Sequence, residues 1–175
     1  MSLRALAAGL SLGLAVCLAA PAQADSCDRL TVRLIRATGA SLVGRTGALV
    51  VFRAADAERF RLDCQDPRRL LFRSERREPQ GAYFVLIGEA AHALTGAPAA
   101  AVETLTRQLH QDSLLTGSAQ LGRVGGAVIR CDPGDRPDGF GIGTLCRVAA
   151  DRPGRGPRRS PLHHKAGLPA APRAG

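Results

Sequence analysis

Residues 58–64 read Glu58-Arg59-Phe60-Arg61-Leu62-Asp63-Cys64, and apolar and charged side chains alternate from Arg59 to Cys64. Successive side chains of a strand point to opposite faces, so this alternation predicts a strand with one buried face and one solvated face. A sheet with one covered face is typical of antiparallel α+β folds. We therefore expect the rest of the chain to supply further strands and the helices that cover them.

The residues before this stretch predict one helix and two short strands. Between residues 26 and 38, Leu30, Leu34 and Ile35 lie on one side of a predicted helix, with Ser26 as its cap and Gly39 as its stop. Thr31-Val32 leaves a strand as the alternative there. Strands are expected at 41–45 and 48–53, with turns at 46–47 and 54–57. A further short strand at 70–73 follows the central stretch.

The second half of the chain predicts two helices and then two strands. Helical spacing runs through residues 82–94 up to Gly96, and a second helix opens at Pro98 with Val102 in its apolar stripe. A glycine-rich stretch leads to a strand at 127–131, a loop at 132–139 and a final strand at 144–149. The expected fold class is α+β, with about three helices packed on one face of an antiparallel sheet.

The first 24 residues predict a cleavable signal peptide. Arg4 precedes an uncharged apolar run, and Ala22-Gln23-Ala24 has the small residues that signal peptidase requires. We expect Pro21 to end the apolar helix and to leave the cleavage site extended. Cleavage is expected before Asp25. The organisation predicted is a signal peptide at 1–24, one domain at 25–150 and a basic tail at 151–175. The expected location is the periplasm or the exterior, with no membrane-spanning segment after cleavage.

Four cysteines remain in the expected mature chain, namely Cys27, Cys64, Cys131 and Cys146. An even number in an exported protein predicts disulfides. The chain has no C-x-x-C motif, and the spacings do not resemble a zinc site. Three strand reversals after the first helix return Cys64 to the level of Cys27, which favours the pairs Cys27–Cys64 and Cys131–Cys146. The second pair implies a long hairpin loop over 132–145.

The net charge of +9 is divided unevenly along the chain. Residues 25–150 hold 17 basic and 14 acidic residues, so the predicted domain is nearly balanced and the tail is basic. This balance, and the expected export, argue against a nucleic-acid partner. Of the 24 basic residues 23 are arginine, which suggests the codon bias of a GC-rich genome and lowers the weight of any single arginine.

The tail is rich in Pro, Gly and Arg and is expected to be disordered. The simplest interpretation of the tail is a solvated segment without a function. The functional alternative is adhesion to anionic lipid or envelope polyanions, for which the candidate residues are Arg152, Arg155, Arg158 and Arg159.

Metal-dependent or hydrolytic chemistry has one candidate set. Glu89 and His92 lie on adjacent turns of one predicted helix, and Glu103 and His110 lie on the helix that follows. These residues require convergence in a cleft to act, and solvated helix positions are the alternative. The acids Asp132, Asp135 and Asp138 lack the spacing of a calcium loop, so a turn-rich solvated loop is expected there.

No catalytic constellation, cofactor or metal is predicted for this chain. The leading functional interpretation is a non-catalytic binding or interaction module of the cell envelope, with an envelope protein or an anionic surface as its partner. The alternatives are a small enzyme that uses Glu89, His92, Glu103 and His110, and adhesion through the tail.

Overall fold

The computed structural model describes residues 21–136, 138–139 and 141–151. Three helices and seven strands follow one another in this part of the chain. They are α1 (Pro21–Thr38), β1 (Ser41–Thr46), β2 (Leu49–Ala54), β3 (Ala57–Asp63), β4 (Arg69–Ser74), α2 (Gly81–Thr95), α3 (Ala99–Thr116), β5 (Gln120–Val124), β6 (Ala127–Asp135) and β7 (Ile142–Ala150). The central stretch of the sequence is β3, as its alternation predicts.

The strands form one antiparallel sheet in the order β1-β2-β3-β4-β7-β6-β5. Two meanders, β1–β4 and β5–β7, meet where β4 pairs with β7. The helices lie on one face, with α2 packed on β4 and β7 and α3 on β5 and β6. The predicted α+β class, with three helices on one face of an antiparallel sheet, is confirmed.

A row of aromatic side chains crosses the covered face. Phe52, Phe60 and Phe72 lie opposite one another on β2, β3 and β4, and their ring centroids are 4.6 and 4.7 Å apart. All three are buried, as are Leu30 and Leu34 of α1 above the sheet. The aliphatic and aromatic surface that these side chains remove from water is the main source of the fold's stability.

Two disulfides join the expected partners. Cys27 of α1 bonds to Cys64 just beyond β3, and Cys131 of β6 bonds to Cys146 of β7. The second pair is also a register pair of the β6–β7 ladder, so the bond links residues that lie directly opposite each other. Both favoured pairings are confirmed.

The start of α1 differs from the prediction. Residues 21–24 form its first turn rather than an extended segment, because proline is tolerated where a helix N–H has no intrahelical partner. Ser26 therefore lies inside the helix and is not its cap; its hydroxyl accepts a hydrogen bond from Arg68 Nη2 at 2.7 Å. The strand alternative at Thr31 is also wrong, since its Oγ1 donates to the Cys27 carbonyl one helical turn earlier.

The last three strands are more extensive than predicted. β5 lies in the stretch that we expected to be a glycine-rich connection, and β6 continues to Asp135 instead of ending at Cys131. Asp135 pairs with Ile142, so the β6–β7 connection spans only 136–141 rather than the expected 132–145. Residues with turn character in isolation are thus held in a strand by the ladder with β7.

No described helix is long and apolar enough to cross a membrane. Most of the predicted signal peptide, residues 1–20, lies outside the described residues, as do residues 152–175 of the tail with Arg152, Arg155, Arg158 and Arg159.

Candidate functional site

The helix-free face of the sheet concentrates basic side chains. In β3, Phe60 and Leu62 point toward the helices, so Arg59 and Arg61 point away from them, and the same alternation applies along each strand. Six of the seven strands place arginines on this side. We call this set the arginine face, and it consists of Arg53, Arg59, Arg61, Arg69, Arg73, Arg123, Arg130 and Arg147.

Acidic side chains are scarce on the arginine face. By the same alternation, the strands place only Asp63 and Asp132 there among the described residues. Asp151, just beyond β7, also reaches Arg123 at 3.6 Å. The eight arginines therefore outnumber the carboxylates, and the face has a strong positive potential.

One opposed pair of arginines on this face is bridged by a carboxylate. Arg130 and Arg147 lie directly opposite each other on β6 and β7. Asp132 joins them: its Oδ1 is 2.8 Å from Arg130 Nη2, and its Oδ2 is 2.7 Å from Arg147 Nη1. These hydrogen bonds hold the pKa of Arg130 above its usual value, and the charge of Asp132 adds to the effect. An oxyanion between the two guanidinium groups thus relieves their repulsion.

A second opposed pair has no such bridge. Arg59 and Arg73 lie directly opposite each other on β3 and β4. Neither forms an ion pair with a carboxylate in the part of the chain that the structure describes, and the same is true of Arg53, Arg61 and Arg69. Arg73 donates instead to the backbone carbonyl of Asp135. Like charges directly opposite on neighbouring strands are destabilising, so this pair leaves a place for an anion.

Arg61 adds an unused donor next to this pair. It lies two residues after Arg59 on the same face, and its Nε is buried without a hydrogen-bond partner among the described residues. Buried N–H groups in proteins are nearly always satisfied, and a group left unsatisfied costs about 1–3 kcal/mol. One donor of β3 is therefore left without an acceptor among the described residues.

The surroundings of these arginines are aliphatic. Val51 and Leu71 flank Arg61 across the sheet, and Leu145 faces Arg73. The described aromatic side chains are all buried on the helix side, so none of them offers a stacking surface on this face. None of the five cavities found along the described surface is lined by an arginine of this face. The described side chains next to these arginines are thus aliphatic rather than aromatic.

The near balance of charge over residues 25–150 does not extend to the arginine face. A nearly neutral sum over residues 25–150 conceals a separation of charge, because most carboxylates lie on helices and loops while eight arginines share one face of the sheet. The available signal was the alternation itself: Arg59 and Arg61 stand out of phase with Phe60 and Leu62. The missing information was which face of the sheet the helices cover.

The candidate metal ligands do not come together. No group of three or more His, Cys, Asp or Glu side chains in the described chain converges on a common point. Glu103 pairs with Arg107 at 2.7 Å, and His92 Nδ1 lies 2.9 Å from the Ala97 carbonyl oxygen. Glu89 is half-buried on α2.

His110 is buried beside a cavity on the helix side. Its ring lies 5.5 Å from that of Phe84, and a cavity of about 560 Å³ next to it is also lined by Arg77, Glu78 and Arg107. Burial lowers the pKa of His110, while the Glu78 carboxylate and a hydrogen bond to the Arg77 backbone oppose this in part. The imidazole is packed against Phe84 beside the cavity, which fits a packing role.

The three acids considered for calcium are also separated. Asp132 is held between Arg130 and Arg147, and Asp138 pairs with Arg136 at 2.7 Å. Asp135 forms the last pair of the β6–β7 ladder with Ile142. Each acid is placed by a local strand or turn contact, so the three do not form a common cation site.

Fold and face together define a small disulfide-linked α+β domain with a guanidinium-rich surface on the helix-free side of its sheet. Guanidinium groups bind carboxylate and phosphate bidentately, which gives this face a geometric preference for oxyanions. Comparison with protein-family models, with curated proteins and with solved structures yields no match for this chain.

Proposed function

We propose that the chain is an exported, non-catalytic binding module of the cell envelope that holds an anionic partner on its arginine face. The observation that carries the proposal is the set of five arginines on β2, β3 and β4 without a carboxylate partner among the described residues. Two disulfides in so small a domain favour an oxidising compartment. Export through the predicted signal peptide is part of the same proposal.

Binding is tested with a soluble polyanion, long-chain polyphosphate, titrated calorimetrically into the full mature chain. The test variant replaces Arg59, Arg61 and Arg73 by serine. We expect it to bind at least about tenfold more weakly, because each guanidinium lost removes a charge-assisted hydrogen bond. The matched control replaces Arg29, Arg33 and Arg36 of α1 by serine, which removes the same charge from exposed positions on the helix side of the sheet.

A third variant separates the face from the tail. It replaces Arg152, Arg155, Arg158 and Arg159 by serine in the full chain. Retained binding in this variant, with loss in the arginine-face variant, supports the proposal. Equal loss in the arginine-face and α1 variants, or loss only in the tail variant, would overturn it, because binding would then follow total charge or the tail.

Export is tested separately by mass spectrometry of the chain recovered from the periplasm under non-reducing conditions. We expect a mass that begins at Asp25 and four cysteines that resist alkylation. Cleavage there would shorten α1 by its first turn, Pro21 to Ala24. A chain that keeps residues 1–24 and has alkylatable thiols would contradict the exported location.

A further inference from the structure

We infer that Arg59 and Arg73 form an oxyanion site that binds the phosphate of an anionic phospholipid headgroup, and that the arginine face docks on an anionic membrane surface. This inference rests on the proposed binding function and names its partner. The sheet contains two opposed arginine pairs, Arg59–Arg73 and Arg130–Arg147, which can be compared directly. The Asp132 carboxylate bridges Arg130 and Arg147, whereas no described carboxylate bridges Arg59 and Arg73.

The bridged pair gives the template for the site. Asp132 Oδ1 accepts from Arg130 Nη2 at 2.8 Å, Oδ2 accepts from Arg147 Nη1 at 2.7 Å, and Arg130 Nε donates to both oxygens at 3.1 and 3.3 Å. Neighbouring strands lie about 4.8 Å apart throughout a sheet, so the side chains of Arg59 and Arg73 leave the backbone at a separation similar to those of Arg130 and Arg147. Residue 61, two positions after Arg59, corresponds to Asp132, two positions after Arg130, and it is an arginine. β3 therefore supplies no carboxylate at this position, and no described carboxylate forms an ion pair with Arg59 or Arg73, so we place an anion of another molecule there.

The surroundings favour a phosphate on an extended surface over a small free ligand. None of the five cavities reaches the site, and further arginines surround it at Arg53, Arg61 and Arg69. Six of the eight arginines of the face lie on the four central strands β3, β4, β7 and β6. A two-dimensional array of headgroups supplies many phosphates to such a cluster at once.

Side-chain chemistry points the same way. Val51, Leu71 and Leu145 separate the arginines, and Leu121 at the edge of the face is 58% exposed. Aliphatic groups between cations suit the boundary between headgroups and acyl chains. A nucleic-acid strand would gain from aromatic stacking, and no described aromatic lies on this face. Two copies of the face would repel each other, which argues against self-association through it.

The first test is sedimentation of the full mature chain with vesicles of phosphatidylcholine and phosphatidylglycerol. We expect binding to these vesicles and none to phosphatidylcholine alone. The variant Arg59→Ser/Arg73→Ser should partition on the order of 30-fold more weakly, from the loss of two basic residues at the surface. The control Arg29→Ser/Arg36→Ser removes the same charge from α1 on the other face and should partition like the wild type, since screening acts beyond about 8 Å.

The second test uses the wild-type chain, so that folding of a variant does not enter. Arginine modification by phenylglyoxal is mapped by peptide mass spectrometry with and without vesicles. Phosphatidylglycerol vesicles should protect Arg59 and Arg73, and leave Arg29 reactive. Inorganic phosphate is the comparison probe at matched phosphate concentration, and it should protect these residues less than the vesicles do.

The outcomes distinguish the inference from the proposed function. Face-dependent polyphosphate binding without vesicle binding overturns the lipid partner and leaves the binding module intact. Equal protection by inorganic phosphate, without vesicle binding, also overturns it and assigns the pair to free oxyanions. Loss of both polyphosphate and vesicle binding in the wild type overturns the two proposals together.

Discussion

The opposition of Arg59 and Arg73 has a thermodynamic consequence apart from binding. Two like charges directly opposite on neighbouring strands cost free energy, and a charge reversal at one position converts the pair into an attractive one. We predict that Arg59→Glu raises the free energy of unfolding by about 0.2–1 kcal/mol, measured by urea denaturation at low salt. The gain should shrink at high salt because both side chains face solvent.

A second variant tests whether the gain in stability comes from this pair of residues. Arg59→Glu/Arg73→Glu places two carboxylates opposite each other, and the gain of the single variant should disappear. A single variant no more stable than the wild type would contradict the claim that the two guanidinium groups repel each other in the folded chain.

Tyr83 is the only tyrosine of the chain, and it is fully buried. Its hydroxyl donates to the Phe72 carbonyl oxygen at 3.1 Å. Burial raises the pKa of Tyr83 far above its ordinary value of about 10, and a hydrogen bond from the Cys146 backbone opposes this in part. The folded chain therefore keeps the phenol protonated at pH values where an unfolded chain ionises.

The sign of the resulting pH dependence follows from proton linkage. Above about pH 10 the unfolded chain releases the Tyr83 proton and the folded chain retains it, so the free energy of unfolding falls by about 1.4 kcal/mol per pH unit from this residue. Below that pH both states carry the proton, and Tyr83 adds no slope. We predict that the ultraviolet signal of the phenolate appears only together with unfolding, and that Tyr83→Phe removes this part of the alkaline slope. Ionisation of the phenol in the folded chain would contradict the prediction.

Helices α2 and α3 approach each other closely at one glycine. A Cβ at Gly88 would lie 2.7 Å from the backbone oxygen of Ala99, which is shorter than the van der Waals contact distance of a Cβ atom. We predict that Gly88→Ala lowers the free energy of unfolding by about 1–3 kcal/mol, because α3 must shift to admit the methyl group. Urea denaturation checks this.

Gly81, in the first turn of the same helix, is the matched control for Gly88. A Cβ there meets only the Arg107 side chain at 3.8 Å, which is ordinary contact. Gly81→Ala should therefore leave stability unchanged or slightly raised, because alanine favours the helix. A similar loss in both variants would show that the close approach at Gly88 has little energetic weight.

Elements with strong periodicity could be predicted from the sequence, and elements whose form depends on a neighbour could not. β3 shows its alternation openly, and α2 ends at Gly96 as expected. β5 was missed because its central inward position is Gly122, where a Cβ would lie 3.1 Å from the side chains of Leu105 and Leu109. A strand that needs glycine on its buried side cannot display apolar alternation.

The longer β6 was missed for a related reason. Asp132-Pro133-Gly134-Asp135 has the composition of a turn, yet these residues pair with β7. They extend past the end of β5, so they form an edge on that side, where proline's missing N–H is tolerated. Pairing partners, rather than local preference, determine the length of this strand.

At the scale of the whole molecule, the arginine face depends on the topology rather than on composition. An arginine-rich composition explains how many guanidinium groups the chain has, but it does not explain why five on one face have no carboxylate partner among the described residues. That outcome requires all helices to lie on one side of the sheet. The alternation at Arg59 and Arg61 could be read from the sequence. The position of all three helices on one side of the sheet could not.

The two disulfides stabilise different parts of this topology. Cys27–Cys64 closes a segment with a sequence separation of 37 and ties α1 to the end of β3, whereas Cys131–Cys146 has a separation of 15 and links strands already paired along β6 and β7. In the chain-entropy account the longer segment is worth about 4 kcal/mol and the shorter about 3 kcal/mol. We predict that Cys27→Ala/Cys64→Ala lowers the free energy of unfolding more than Cys131→Ala/Cys146→Ala does, as measured by urea denaturation.

Hydrogen exchange shows which element opens when each disulfide is removed, whereas urea denaturation gives only the loss of stability. Without Cys27–Cys64, α1 is held by non-covalent contacts alone, namely the packing of Leu30 and Leu34 and polar contacts such as the Ser26–Arg68 hydrogen bond. Its amides should therefore exchange faster than those of α2 and α3. Without Cys131–Cys146, the β6–β7 ladder remains hydrogen-bonded, and no single element should open ahead of the rest. The prediction is contradicted if α1 exchanges slowly without Cys27–Cys64 and if this variant is the more stable of the two. Burial of α1, rather than its disulfide, would then hold the helix on the sheet.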